Sequence, residues 1–242
     1  MRALAAAEIL QLWETACRFH PVDQALSVLL LAVPGSSRDD LAALPLGQRD
    51  AALLAVRQAT FGDALPGKSR CPRCDETVEF ELSCRALLAN PVEPRSRHFN
   101  QDGYSVNVRP LNSFDLAAAA SESTLRQARA VLLERCLSDL SFEDRAIDPD
   151  ALPPVIKHRI AATVQATDPH AEILLDLDCP ACQHRWQRML DIGQLLWTEI
   201  STRAQRLLLE VHLLARAYGW TEAETLELSA ARRALYLQMV TA

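Results

Sequence analysis

The pattern Cys-Pro-x-Cys occurs twice in one chain, as CPRC at Cys71–Cys74 and as CPAC at Cys179–Cys182, 108 positions apart. Two thiolates in a four-residue turn fill two of the four positions around a tetrahedral metal ion and leave the others open. Two such turns set face to face make a closed site, as in zinc ribbons. A fold that brings them together must pin the middle of the chain to its last third, closing a loop of about a hundred residues.

Sliding the chain by 108 positions aligns residues 71–89 with 179–197 without a gap. Cys71, Pro72 and Cys74 meet Cys179, Pro180 and Cys182, and beyond the motif Leu82, Leu87 and Leu88 meet Leu190, Leu195 and Leu196. The register was chosen on the cysteines, so the leucine matches carry the information. Each copy reads as a knuckle, a strand and an apolar pair entering a helix, an internal repeat of one supersecondary unit.

We therefore expect one structural zinc ion, Zn2+, held by Cys71, Cys74, Cys179 and Cys182. The tight turn after each first cysteine exposes backbone N–H groups that stabilise a thiolate. Two other readings stand beside this one: a vestigial, metal-free pair, and a redox dithiol. In CPxC redox enzymes the first cysteine opens a helix, whereas strand-like residues follow both motifs here. Knuckles also favour glycine after the second cysteine, where this chain has Asp75 and Gln183. Aspartate tolerates the left-handed backbone, and glutamine does so less readily. The repeat sets Cys84 opposite Ile192, so Cys84 reads as a small core hydrophobe. His184 reads as a strand surface residue, and His98 and His212 as structural.

Composition narrows the function. Of the 242 residues 49% are hydrophobic and 23% charged, a globular balance. The net charge of −6 counts against a nucleic-acid partner. Seven cysteines, an odd number containing two CxxC pairs, fit a reducing compartment better than a secreted disulfide framework. The run ALSVLLLAV (Ala25 to Val33) is too short to cross a bilayer, and the alanine-rich N-terminus reads as an amphipathic helix rather than a signal peptide. No HExxH, nucleophile elbow or phosphate-cradling glycine loop occurs, so no enzyme is expected and no small-molecule substrate. The C-terminal helices could be taken for a DNA-reading helix-turn-helix, but Glu222, Glu224 and Glu227 would repel phosphates there.

Periodicity gives an α+β chain, mostly helical, with helical N- and C-terminal parts around a small antiparallel zinc-ribbon-like module. Residues 1–66 read as an N-terminal helical region with helices near 4–16, from Pro21 to about 33, and over 46–62. Residues 67–111 hold the first knuckle, the alternating strand TVEFELS and a hairpin at Asp102-Gly103. Residues 112–170 read as a helical middle region. Within it, Ser113 caps a helix running to 136, 141–154 is a polar connection, and a helix fills roughly 151–166. Residues 171–193 form the second knuckle hairpin. From 194 to 242 come the C-terminal helices: a long stripe from Leu196 to Tyr218 stopped by Gly219, a short helix on the capping box TEAE, and a last one capped by Ser229.

Several stretches together resemble a known family. LPLGQRDAALLAVRQATFG before the first knuckle, RPLNSFDLAAA, and LLWTEISTRAQRLLLEVHLLARAYGWTEAETLELSAARRALYLQMV after the second resemble the T4-type baseplate hub proteins of contractile phage tails and phage-tail-like injection particles. The resemblance covers most of the chain and is densest over Glu210 to Leu237. It implies a non-enzymatic structural or assembly component near the tail hub, with other baseplate and hub proteins as partners. Such a protein is made in the bacterial cytoplasm and either stays in the particle or leaves as an assembly chaperone. Trp197, Trp220, Arg232, Arg233 and Tyr236, with Arg95, Arg97 and Arg109, are the residues expected to reach partners. The competing functions are a zinc-ribbon adaptor for nucleic acid and a thiol oxidoreductase.

Overall fold

A computed structural model of the chain describes residues 1–89 and 93–241, with Thr241 described in its backbone only. The chain is α+β, with its strands in small antiparallel sheets. It begins with four helices: α1 (Ala6–Ala16), α2 (Pro21–Ala32), α3 (Arg38–Ala43) and α4 (Leu46–Phe61). Pro21 opens α2 as its first residue, and His20 caps it by accepting from the Val22 amide. Helix α3 was not expected. Ser37 and Asp40 cap it reciprocally, but six residues are too few to show a periodic stripe. Gly62, at φ 96°, ends α4.

Strands β1 (Ala64–Arg70) and β2 (Thr77–Ser83) form a hairpin around the first knuckle, and a short helix α5 (Cys84–Leu88) follows. Sequence reading found β2 and missed β1, because ALPGKSR carries a proline and a glycine. Gly67 is required there. A Cβ at that position would lie 2.3 Å from the ring of its cross-strand partner Phe80.

The middle of the chain runs through β3 (Arg97–Gln101), β4 (Tyr104–Val108), α6 (Ser113–Ala120), α7 (Leu125–Cys136), β5 (Leu137–Phe142), β6 (Arg145–Ala146) and α8 (Pro154–Thr167). The expected hairpin at Gly103 is present. Two expectations are corrected. The helix over 113–136 is two helices, capped by Asn112 and Thr124, and Ser113 is the first residue of α6 rather than its cap. The polar connection over 141–154 contains the end of β5 and all of β6, which extend the hairpin into a four-stranded sheet. A bulge hides β5 from a period-two reading. Ser105 pairs with Ser141 and Asn107 with Ser138, so Asp139 and Leu140 both stand opposite Val106. Asp139 takes a left-handed φ of 56° to make the step.

The second hairpin, β7 (Leu174–Asp178) and β8 (Arg185–Met189), leads into the long helix α9 (Ile192–Tyr218), then α10 (Glu222–Glu227) and α11 (Ala230–Thr241). Gly219 stops α9 in the left-handed conformation, and Thr221 and Glu224 form the expected capping box.

Among the described residues two cores organise the molecule. The larger joins α1, α2 and α4 to the stripe Ile192, Leu196, Ile200, Ala204 and Leu207 of α9. The smaller packs Phe99, Val106, Val108 and Leu140 of the sheet against Leu152 and the α8 residues Ile156 and Ile160. Burial of such side chains contributes about 1.5–3 kcal/mol each. Trp13, Trp197 and Leu226 lie half-buried against the larger core.

Candidate metal centre

The 108-residue offset holds in three dimensions. Strands β1 and β7 end at Arg70 and Asp178, and β2 and β8 begin at Thr77 and Arg185. Ser83 and Asp191 cap α5 and α9, each accepting a backbone N–H with its side chain. The hairpins share one register: Arg70 pairs with Thr77 as Asp178 pairs with Arg185, and Gly67 with Phe80 as Leu175 with Arg188.

The knuckles match bond for bond. The Cys71 amide donates to the Glu76 carbonyl at 2.9 Å, and the Cys179 amide to that of His184 at 2.9 Å. The Asp75 amide donates back to the Cys71 carbonyl, and the Gln183 amide to that of Cys179, both at 2.9 Å. Asp75 sits at φ 60° and Gln183 at φ 58°. The glutamine adopts the left-handed backbone despite its lower tolerance for it, because the turn requires that conformation in both copies.

The two knuckles face each other. Cys71 Sγ lies 3.6 Å from Cys182 Sγ, and Cys74 Sγ lies 3.6 Å from Cys179 Sγ. All four sulfurs fall within 4.8 Å of one another. A zinc–sulfur bond of about 2.3 Å makes the edge of a tetrahedron of sulfurs roughly 3.8 Å. The cluster has that size. The four cysteines are free thiols, so the closeness is not that of disulfides. Cys71 and Cys179 are buried, Cys74 is exposed and Cys182 half-buried.

Burial works against ionisation of Cys71, but the amides of Arg73 and Cys74 and the thiols of Cys182 and Cys74 bring it down to about 7. Cys74 moves the other way. The Glu76 amide favours its thiolate, yet Cys182, burial, Cys179 and Cys71 together push it up to about 12. The Cys71 thiolate forms readily and that of Cys74 is opposed. A divalent cation reverses that opposition, because it favours each further thiolate.

Other residues carry the two copies without any signature in the sequence. Arg188 on β8 donates to the Ser69 hydroxyl at 3.0 Å and reaches the Lys68 carbonyl, joining the second hairpin to the first. Arg57 of α4 is 2% exposed and holds both carboxylate oxygens of Glu199 on α9, at 2.7 and 2.9 Å. It also donates to the Gly62 carbonyl and to Cys84 Sγ. A cleft between the hairpins is lined by Gly67, Lys68, Phe80, Leu175 and Arg188 and by the start of α9. Its charged groups are already engaged: Lys68 with Glu79, Arg188 with Ser69, Asp191 with the Gln194 amide and Glu199 with Arg57.

The remaining expected site residues fall in different surroundings. Cys84 is fully buried in the larger core, as a hydrophobe should be. His184 stacks on Trp186, and His98 bonds Asn107 and Ser105 on the sheet surface. Trp220 and Tyr236 pack with Tyr218 in one aromatic group, with ring centroids 4.8 to 5.7 Å apart. Arg232 is exposed. Two arginines expected to reach partners are bound within the chain instead. Arg233 is 3% exposed and pairs with Glu210 at 2.8 Å while donating to the Leu228 carbonyl. Arg109 makes a two-pronged pair with the buried Asp115 at 2.7 and 2.9 Å. Arg95 and Arg97 are exposed, and Arg97 donates to the Ala166 carbonyl.

Among the described residues no helix is long and apolar enough to cross a membrane. Neither the curated proteins nor the solved structures hold a match to the chain. A family model does match. It is described as the T4 bacteriophage base plate protein and spans residues 22–196, from the start of α2 to the end of the second repeat. The matched region contains both knuckles and the whole middle sheet. The chain belongs to the T4 bacteriophage base plate protein family.

Proposed function

We propose that this chain is a non-enzymatic structural or assembly component of the hub region of a contractile phage-like baseplate, braced by one structural zinc ion. The family supports the baseplate role. The zinc reading rests on one observation: four sulfurs from two turns 108 residues apart converge within 4.8 Å. Four thiolates in a closed tetrahedron leave no open position for a substrate, which is the arrangement of a structural site rather than a catalytic one. Cys71, Cys74, Cys179 and Cys182 would hold the ion, and it would supply a rigid joint between the two repeats. Neither cysteine turn opens a helix, which speaks against a dithiol oxidoreductase.

The chain acts through its surfaces on neighbouring baseplate proteins. The aromatic group of Tyr218, Trp220 and Tyr236, with exposed Arg232 beside it on α11, is the surface we assign to a partner. Trp197 lies near the start of α9, at the other end of that helix, packed against the larger core. Assembly takes place in the bacterial cytoplasm.

Native mass spectrometry of the purified chain, together with affinity capture from cells producing the particle, tests the proposal. One zinc per chain and capture of baseplate proteins that is lost in Trp220→Ala are the expected results. A metal-free chain that remains fully folded removes the zinc reading. Capture of no tail protein removes the hub reading.

A further inference from the structure

The two short sulfur contacts both run between the repeats, Cys71 to Cys182 and Cys74 to Cys179, each at 3.6 Å. Each of these pairs joins one accessible sulfur to one buried sulfur. Cys182 and Cys74 reach the surface, while Cys71 and Cys179 are 1% and 2% exposed. An accessible thiolate beside a buried partner is the arrangement in which oxidation ends at a disulfide rather than at a sulfinic acid.

We propose that the four-cysteine cluster is a clasp with two closed forms: a metal-bound form, and an oxidised form in which Cys71–Cys182 and Cys74–Cys179 disulfides join the same two halves. The inference rests on the metal reading for its first form only; the disulfides are argued from the sulfur contacts themselves. The oxidant is hydrogen peroxide. Cys182 attacks its O–O bond, an S–O bond forms, and hydroxide leaves. Cys71 then attacks the sulfenic sulfur, the S–S bond forms, the S–O bond breaks, and a second hydroxide leaves. Two sulfurs lose two electrons and one peroxide gains them. The pair Cys74 and Cys179 repeats the sequence with a second peroxide. The four thiolates are consumed, and the cation departs as a free divalent ion.

The consequence is a joint that holds in both kinds of surroundings. Thiolate–metal bonds persist where thiols are kept reduced, and disulfides persist where they are not. Local bridges, Cys71–Cys74 and Cys179–Cys182, would instead seal each knuckle on itself and let the halves part.

The full-length, zinc-loaded protein is titrated with hydrogen peroxide. Zinc release is followed with a chromogenic chelator, and the product is digested with trypsin without reduction. Cleavage after Arg73 separates Cys71 from Cys74, while Cys179 and Cys182 stay together on the fragment 160–185. The expected result is release of the ion at two equivalents of peroxide, with fragments 71–73 and 74–85 each linked to 160–185. In Cys182→Ser the link from 71–73 disappears and the link from 74–85 remains. A direct link between 71–73 and 74–85, or sulfinic acids with no disulfide, overturns the proposal. The same digestion on chelator-treated protein separates the two readings. Cross-links in a chain that binds no zinc would leave the disulfide form standing and remove only the zinc.

Discussion

Cys84 and Ile192 occupy the same position in two copies of one unit, and both side chains are fully buried in one core. Each is the first residue of the helix that follows its hairpin. In the first copy the helix ends after five residues; in the second it continues for 27 and becomes the axis of the larger core. The same local unit therefore serves once as a cap and once as the start of a strut about 40 Å long.

The proposed single ion, shared by all four sulfurs, would make single cysteine changes all-or-none. Cys74→Ser and Cys182→Ser should each remove nearly all of the bound metal, and each should lower the melting temperature by on the order of 10 °C. Metal analysis beside thermal unfolding checks this. Half the metal remaining in either variant would mean two separate sites.

Gln183 is held in a backbone conformation that costs a non-glycine residue about 1–2 kcal/mol. Gln183→Gly should raise stability by roughly 0.5–1 kcal/mol in urea unfolding, with the metal complement unchanged. Asp75→Gly should gain less, since aspartate tolerates the left-handed region. No gain at position 183 would show that the glutamine side chain contributes something that outweighs its backbone.

Asp115 is fully buried and accepts from Arg109, Arg135 and the Asn112 amide, tying the end of β4 to α6 and α7. Burial opposes its charge, but Arg109, the Asn112 amide and Arg135 outweigh that and hold the carboxyl below the usual carboxylate range. A lowered folded pKa means that its contribution is complete above the ordinary value near 4 and fades as pH falls through the folded value. Asp115→Asn should cost on the order of 2–3 kcal/mol at pH 7. The gap between wild type and variant should then narrow below about pH 4. Urea midpoints across pH 2 to 7, taken as the difference between the two proteins, would show it.

Arg233 braces the C-terminal helices by joining Glu210 of α9 to the Leu228 carbonyl. Arg233→Ala should destabilise this end by about 1–3 kcal/mol. Amides of α10 and α11 should exchange faster in deuterium, and those of the two hairpins should not. Uniform exchange throughout the chain would show that the brace is not local.

At Gly47 a side chain has no room. Its amide donates to Asp168 at 2.7 Å, and a Cβ there would sit 2.2 Å from the other oxygen of the same carboxylate. Gly47→Ala should cost about 1–3 kcal/mol by displacing that buried cap. Gly193→Ala, where the nearest atom lies 3.5 Å away, should be neutral or gain up to about 1 kcal/mol of helix propensity. Thermal unfolding of the pair decides between crowding and backbone freedom as the reason for glycine at 47.

The repeat, the strands after each knuckle, the cysteine grouping and the α9 stripe were legible because each is a local pattern with a fixed period or spacing. What stayed hidden depends on distant partners. Strand β1 contains Pro66 and Gly67 and is explained only by the Phe80 ring opposite it. Strand β5 is masked by the bulge at Asp139. The role of Arg57 lies in its partner 142 residues away, and that of Arg233 in one 23 residues away. From composition alone these arginines cannot be told from surface ones.

Phe99, Val106, Val108, Leu140, Leu152, Ile156 and Ile160 form a core of their own in the stretch of chain between the two knuckles. That stretch leaves from Cys74 and returns at Cys179, whose sulfurs lie 3.6 Å apart. It is therefore a cassette in a closed circuit. Closure entropy rises only slowly with loop length, so the cassette can lengthen or shorten between relatives at little cost to the mooring. It can also melt separately, and unfolding should then proceed in two steps, the cassette first and the moored helices after it.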